Sequence, residues 1–238
     1  MRALDTAEAG RTVDVAFFDV DETLLTFKSM FRFLDHHFSA RGLPPEHYRR
    51  AAAELRRRAA EGVPRSETNQ DYYQHYAGRS VEEVMEHGRQ WFAAELARGT
   101  ALHEPAVEAL YRHHRYGALT VLVSGSFPPC LEPVRQLLGG DVVLCSEPEI
   151  VDGRYTGRLE TPMIGEQKGR AAAELLARHG VPPSRAAAYG DHSSDLSLLR
   201  AVGHPVAVGD DPALGTYVRQ VGGSLLPGVP GRPVRRRA

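Results

Sequence analysis

The chain has 238 residues, 42% of them hydrophobic and 25% charged, with a formal net charge of −1. That length suits one large domain or a core with an insert, and a near-neutral balance supplies no field for nucleic acid or a membrane surface. The two cysteines, Cys130 and Cys145, fit neither a zinc pattern nor a disulfide framework, so a reducing, cytoplasmic setting is expected.

Residues 1–11 read as a flexible lead-in without the apolar stretch of a signal peptide. "TVDVAFFDV" (12–20) is nearly continuous in apolar character, as a strand covered on both faces is. "FKSMFRFLDHHFSARG" then puts Phe27, Met30, Phe31, Leu34 and Phe38 on one helical face. "LPPEHYRRAAAELRRRAAEG" opens with proline and stops with glycine, the punctuation of a helix. "SETNQDYYQHYAGRS" predicts one short helix in which Tyr72, Tyr73 and Tyr76 pack. Ser80 with Glu83 forms the capping box of the next helix. Residues 27–115 carry no strand signal and are read as a helical insert. The pairs His36-His37 and His113-His114 are expected to face solvent.

From 118 onward the pattern changes. "ALTVLVSGS" is a buried strand ending in small polar residues, followed by the helix "PPCLEPVRQLLGG" and the strand "DVVLCSE". Asp152-Gly153 marks a hairpin. The helix "GEQKGRAAAELLARHG", the strand "SRAAAYGD", the helix "SSDLSLLRAVG", the strand "HPVAVGD" and the helix "DPALGTYVRQVG" follow. Such alternation predicts an α/β fold with a doubly wound parallel sheet. The expected division is a core of 12–26 and 116–223, a cap of 27–115, and a disordered basic tail of 224–238 rich in Pro, Gly and Arg.

Ligands of doubly wound sheets bind beyond the carboxyl ends of the strands. There the sequence places Asp19, Asp21 and Thr23 after the first strand, Ser124-Gly125-Ser126 after the second, and Gly190-Asp191 with Asp195 further on. Lys168 starts the helix that follows the hairpin. Four separate segments thus supply carboxylates, a hydroxyl and an ammonium, a set suited to phosphoryl transfer through an aspartate. In this reading Asp19 attacks phosphorus and Asp21 serves as general acid and base. Ser124 and the Gly125 amide hold phosphoryl oxygens, and Lys168 adds positive charge. Asp19 and Asp191 hold Mg²⁺, which prefers oxygen ligands and makes the close carboxylates tolerable.

These residues carry a resemblance to the haloacid dehalogenase superfamily, and within it to the phosphoserine-phosphatase-like branch. D-x-D-x-T stands as Asp19-Val20-Asp21-Glu22-Thr23, the strand-end Ser as Ser124, the lysine as Lys168, and G-D-x-x-x-D as "GDHSSD". The resemblance runs over about 13–221. It implies a Rossmann-like core with a mobile helical cap. It also implies that the Asp21 backbone carbonyl joins the metal ligands and that Asp195 and Thr23 support the metal site.

The expected activity is Mg²⁺-dependent hydrolysis of a small phosphomonoester through an aspartyl-phosphate. A phosphotransferase using an alcohol acceptor, or a silent binding protein, is the alternative. Lys28 and Arg32, one turn apart, are candidate substrate contacts. The branch places a glutamate nine residues after its nucleophile for the ammonium of phosphoserine; here that position is Lys28. Motif four also has Ser194 where the branch usually has asparagine. Both departures argue against phosphoserine as substrate. The expected state is a monomer or homodimer with no nucleic-acid or membrane partner.

Overall fold

The computed structural model describes residues 13–230. Five buried residues make β1 (Val15–Asp19) the centre of a parallel sheet. β2 (Leu119–Ser124) pairs with it on one side and β6 (Ala186–Gly190) on the other, with Val15 opposite Leu119 and Ala186. β3 (Val142–Cys145) lies beyond β2. β7 (His204–Val208) and β8 (Ser224–Leu226) lie beyond β6, giving the order β3-β2-β1-β6-β7-β8. The chain runs outward from β1 one way, then outward the other way. The carboxyl end of β1 therefore sits where strand order reverses, the usual ligand crevice of such sheets.

Alternate residues of β1 enter opposite faces. Val15 and Phe17 belong to one buried cluster with residues of α7 (Glu166–His179), α8 (Leu196–Arg200) and α9 (Pro212–Val221). Ala16 and Phe18 belong to the other, with Leu110 of α5 (Glu104–Arg115) and Leu131 and Val134 of α6 (Pro128–Leu138). The expected α/β doubly wound core is the fold observed.

The remaining helices are α1 (Ser29–Ala40), α2 (Pro45–Ala60), α3 (Arg65–Tyr73) and α4 (Val81–Ala97). A neck joins them to the core: Leu25 bridges Leu102 in antiparallel sense, and Thr26 N–H donates to Ala101 O at 3.0 Å. This neck corrects the predicted insert boundary of 115. α5 lies against β1 and β2, so it is a core helix that merely lacks strand signals. α4 packs closely on α6 because Gly88 has no side chain; a Cβ there would stand 2.0 Å from the Pro129 carbonyl oxygen.

Two further expectations are corrected. Residues 224–226 are not tail but the edge strand β8, whose Leu226 O accepts from Gly209 N–H at 3.0 Å. The predicted lead-in, and the tail from 231 on, lie outside the described residues. His37 and His113 are buried, not solvent-facing. A His37 ring nitrogen lies 2.9 Å from one of His87, and a His113 nitrogen 2.8 Å from the Tyr189 hydroxyl. Aromatic neighbours on other elements turn these two rings inward, which local spacing does not reveal.

The hairpin is as read: β4 (Ile150–Val151) and β5 (Arg154–Tyr155) are antiparallel. Both turn residues have positive φ, 50° at Asp152 and 71° at Gly153, as a type I′ turn requires. Among the described residues no helix is long and apolar enough to cross a membrane.

Candidate functional site

β1 ends at Asp19, and the loop beyond it turns sharply, with Leu24 and Leu25 N–H groups donating back to Val20 O at 3.0 and 2.9 Å. This turn leaves Asp19 buried at the sheet edge and Asp21 partly exposed one step further out. The Asp21 carboxylate accepts from Ser29 N–H at 3.0 Å, so the first turn of α1 orients it. That amide is one of the donors a helix start leaves without an intrahelical partner.

Lys168, in the first turn of α7, reaches across the sheet edge. Its ammonium donates to Asp19 Oδ1 at 2.5 Å and to Asp195 Oδ1 at 2.7 Å, with all three residues buried. Asp191 follows β6 directly. Gly190 before it must be glycine, since a Cβ would lie 2.6 Å from Asp195 Cβ. Asp195 Oδ2 accepts from His192 N–H at 3.2 Å, and Asp211 Oδ2 from Ser193 N–H at 3.1 Å, so two carboxylates shape the motif-four loop. Thr23 Oγ1 points at Asp191 Oδ1 from 3.5 Å.

Asp19, Asp191 and Asp195 each offer a carboxylate oxygen, all within 4.8 Å of one another. One ammonium, that of Lys168, is bonded into this trio. Burial holds the Asp19 carboxyl well above the usual carboxylate range; Lys168 opposes this, while Asp195 and Asp191 reinforce it. Burial also disfavours the Lys168 ammonium, but Asp19 and Asp195 outweigh it and hold the group above its ordinary value. Buried hard oxygen donors with excess negative charge are what a small divalent cation requires, so the donor set fits Mg²⁺.

At the end of β2, Ser124 Oγ accepts from Ser126 N–H at 3.1 Å, which leaves the Ser124 hydroxyl proton for a further acceptor. Ser126 and Ser29 share a hydroxyl contact of 3.1 Å. The cavity above these groups has a volume of about 730 Å³ and is lined by Asp19, Asp21, Ser124, Gly125, Lys168, Asp191 and Asp195 on the core side. Met30, Phe31, Leu55, Arg56, Val63 and Asn69 line it from the insert.

Every core residue read from the sequence thus meets at one sheet edge. Lys28 and Arg32 line the same cavity, but each is paired. Lys28 Nζ lies 3.9 Å from Glu22, whose φ of 62° turns it back toward α1. Arg32 donates to Glu95 at 2.7 Å and stands 4.1 Å over the Phe27 ring. Sequence reading missed Asn69 and Ser146, and took Tyr73 as packing or, with the Tyr72–Tyr76 region, as a candidate substrate contact, not as a donor to the loop. All three donate to Gly125 O, from positions that only the folded chain brings together.

A family model described as haloacid dehalogenase-like hydrolase matches residues 16–200, and the chain belongs to that family. The inhibition of morphological differentiation protein of Streptomyces azureus is 31% identical over 219 residues, 84% of this chain and 73% of that protein. Phosphoserine phosphatase SerB2 of Mycobacterium tuberculosis is 37% identical over 101 residues, 42% of this chain but 25% of its own length. Among solved structures, a protein of unknown function from Bordetella pertussis Tohama I superposes with a TM-score of 0.79 at 28% identity, covering 89% of this chain and 97% of that one. A substrate-bound phosphoserine phosphatase gives a TM-score of 0.64 at 18% identity, over 90% and 92%, a likeness of fold. The fold is therefore like that of a phosphoserine phosphatase over 90% of the chain.

Proposed function

We propose that the protein is a Mg²⁺-dependent phosphoric monoester hydrolase acting on a small molecule through a covalent aspartyl-phosphate. The observation that carries this reading is the buried contact of Lys168 with Asp19 beside Asp191 and Asp195, at the floor of the cavity between core and insert. Family membership and the phosphatase relatives support it.

Asp19 is the nucleophile: a carboxylate oxygen forms the bond to phosphorus as the bond to the leaving oxygen breaks. Asp21, held by Ser29 N–H, gives its proton to the departing alkoxide. In the second half-reaction Asp21 takes a proton from water, the water oxygen attacks phosphorus, and phosphate leaves with Asp19 restored. Ser124 and the Gly125 amide bind the phosphoryl oxygens, and Lys168 offsets their charge. Asp19, Asp191 and the Asp21 carbonyl would hold Mg²⁺, with Thr23 and Asp195 as support. When bound, the ion neutralises charge shared by nucleophile and substrate.

The leaving group meets the insert side of the cavity. Lys28 and Arg32, each with a carboxylate partner, present charge-compensated groups there, which favours hydroxyl-bearing or mixed polar and apolar leaving groups over a single anion. Phosphoserine is not the proposed substrate, because Lys28 stands where the branch receives the ammonium. The test is release of inorganic phosphate from a panel of phosphomonoesters, with and without Mg²⁺ and with added acceptor alcohols. Mg²⁺-dependent release that acceptors leave unchanged supports hydrolysis. Transfer to an alcohol supports the phosphotransferase, and no turnover with retained phosphate binding supports a silent protein. Phosphoserine near the top of the panel rejects the role given to Lys28.

A further inference from the structure

The Gly125 carbonyl accepts from three side chains. The Tyr73 hydroxyl donates to it at 2.9 Å and the Asn69 amide at 3.1 Å, both from α3 of the insert. The Ser146 hydroxyl, one residue beyond β3, donates at 2.9 Å. A carbonyl oxygen has two lone pairs, so three donors saturate it. All three side chains are buried, so water does not replace a lost bond without a cost. Ser146 is itself fixed, since its oxygen accepts from Met163 N–H at 3.0 Å. The same peptide is held at its other end as well, by Ser126 N–H on Ser124 Oγ at 3.1 Å. Rotation of the Gly125–Ser126 peptide therefore breaks three part-buried hydrogen bonds together and disturbs the contact on Ser124.

We propose that Tyr73, Asn69 and Ser146 are positioning residues that lock the Ser124-Gly125-Ser126 loop in its phosphate-binding geometry. The inference rests on the reading of that loop as the phosphoryl site. Two of the three donors belong to the insert. Docking of the insert thus completes the phosphoryl site as well as covering it, and binding of phosphate and seating of α3 favour one another. None of the three residues touches the reacting atoms; they act through the loop.

The primary variant is Tyr73→Phe, which keeps the ring packed against Phe127 (centroids 5.2 Å apart) and removes only the hydroxyl. Ser146→Ala probes the clamp from the core side, and the double variant combines them. Steady-state kinetics are measured with p-nitrophenyl phosphate and β-glycerophosphate, with orthovanadate as a phosphoryl-site inhibitor and the thermal midpoint as a folding control. Expected is a fall in kcat of about tenfold in Tyr73→Phe, equal for both esters, since a small misplacement of a binding group is costly. The vanadate inhibition constant rises by a similar factor, and the double variant loses more. The inference is overturned if kcat and vanadate inhibition stay within twofold of wild type in both single variants. It is also overturned if the loss depends on the leaving group, which would make Tyr73 a wall of the cavity. Wild-type protein that neither hydrolyses the esters nor binds vanadate overturns the phosphate-site reading, and this inference with it.

Discussion

Asp19 and Lys168 show how a pattern in the chain becomes a reactive group. A strand that ends in a carboxylate at the sheet centre delivers it to a crevice, and only a cation lets it ionise there. Asp19→Asn keeps the shape and removes the proposed nucleophile, so kcat is expected to fall by about a thousandfold or more. The thermal midpoint should hold or rise, because one crowded carboxylate is gone and Lys168 keeps Asp195 at 2.7 Å. A folded variant with a tenth of wild-type activity would reject the assignment. Asp19, Ser124, Lys168 and Asp191 were legible because each stands at a predicted element end, where the fold class sends ligand-binding groups. The pairing of Arg32 with Glu95 was not, since it joins two helices of the insert whose packing no local rule supplies. The clamp on Gly125 was hidden for the same reason: Tyr73 reads as one more aromatic on an apolar face until α3 is seated.

At the scale of elements, the two boundary corrections have different causes. α5 is amphipathic like α1 and α2 of the insert, and only its packing on β1 and β2, beyond the neck at Leu25 and Leu102, assigns it to the core. β8 is three residues long with an exposed character, too short for a periodicity to declare itself. Gly88 marks where insert and core touch most closely. Gly88→Ala forces α4 and α6 apart, and a loss of about 1–3 kcal/mol in urea unfolding is expected, as for other overpacked contacts. A variant as stable as wild type would show that the two helices slide freely. α1 and α5 each bury a histidine. Burial holds His37 down to about 3, with His87 adding to the effect, and His113 down to about 4, with Arg112 adding. Both are neutral in the folded state and take a proton on unfolding below their ordinary value of 6.5. Their contribution to stability is whole above pH 6.5 and is lost as pH falls toward 4. Unfolding free energies from urea denaturation across that range should decline, by up to about 1.4 kcal/mol per pH unit for each fully coupled histidine. His113→Gln should flatten the slope; an unchanged slope would mean that His113 is protonated in place.

For the whole molecule, the carboxylate trio is a stored electrostatic cost that the fold tolerates only in part, since Lys168 supplies a single positive charge against Asp19, Asp191 and Asp195. A divalent cation that binds the native state and not the unfolded chain shifts the folding equilibrium by mass action. At a hundredfold excess over its dissociation constant the gain is about 2.7 kcal/mol. For a chain of this size that corresponds to a rise of about 5–10 °C in the thermal midpoint. Mg²⁺ titration of the protein, followed by calorimetry with NaCl matched for ionic strength, measures it without any substrate. Asp191→Asn should start near or above the metal-free wild-type midpoint and respond little to Mg²⁺, because it removes both repulsion and a proposed ligand. Tyr73→Phe should respond as wild type does, because the clamp on Gly125 acts on the phosphate loop and leaves the carboxylates in place. An equal rise with NaCl, or a full response in Asp191→Asn, would show that the trio is not the cation site. A lost response in Tyr73→Phe would show instead that loop and metal site form one unit, held together through the docked insert.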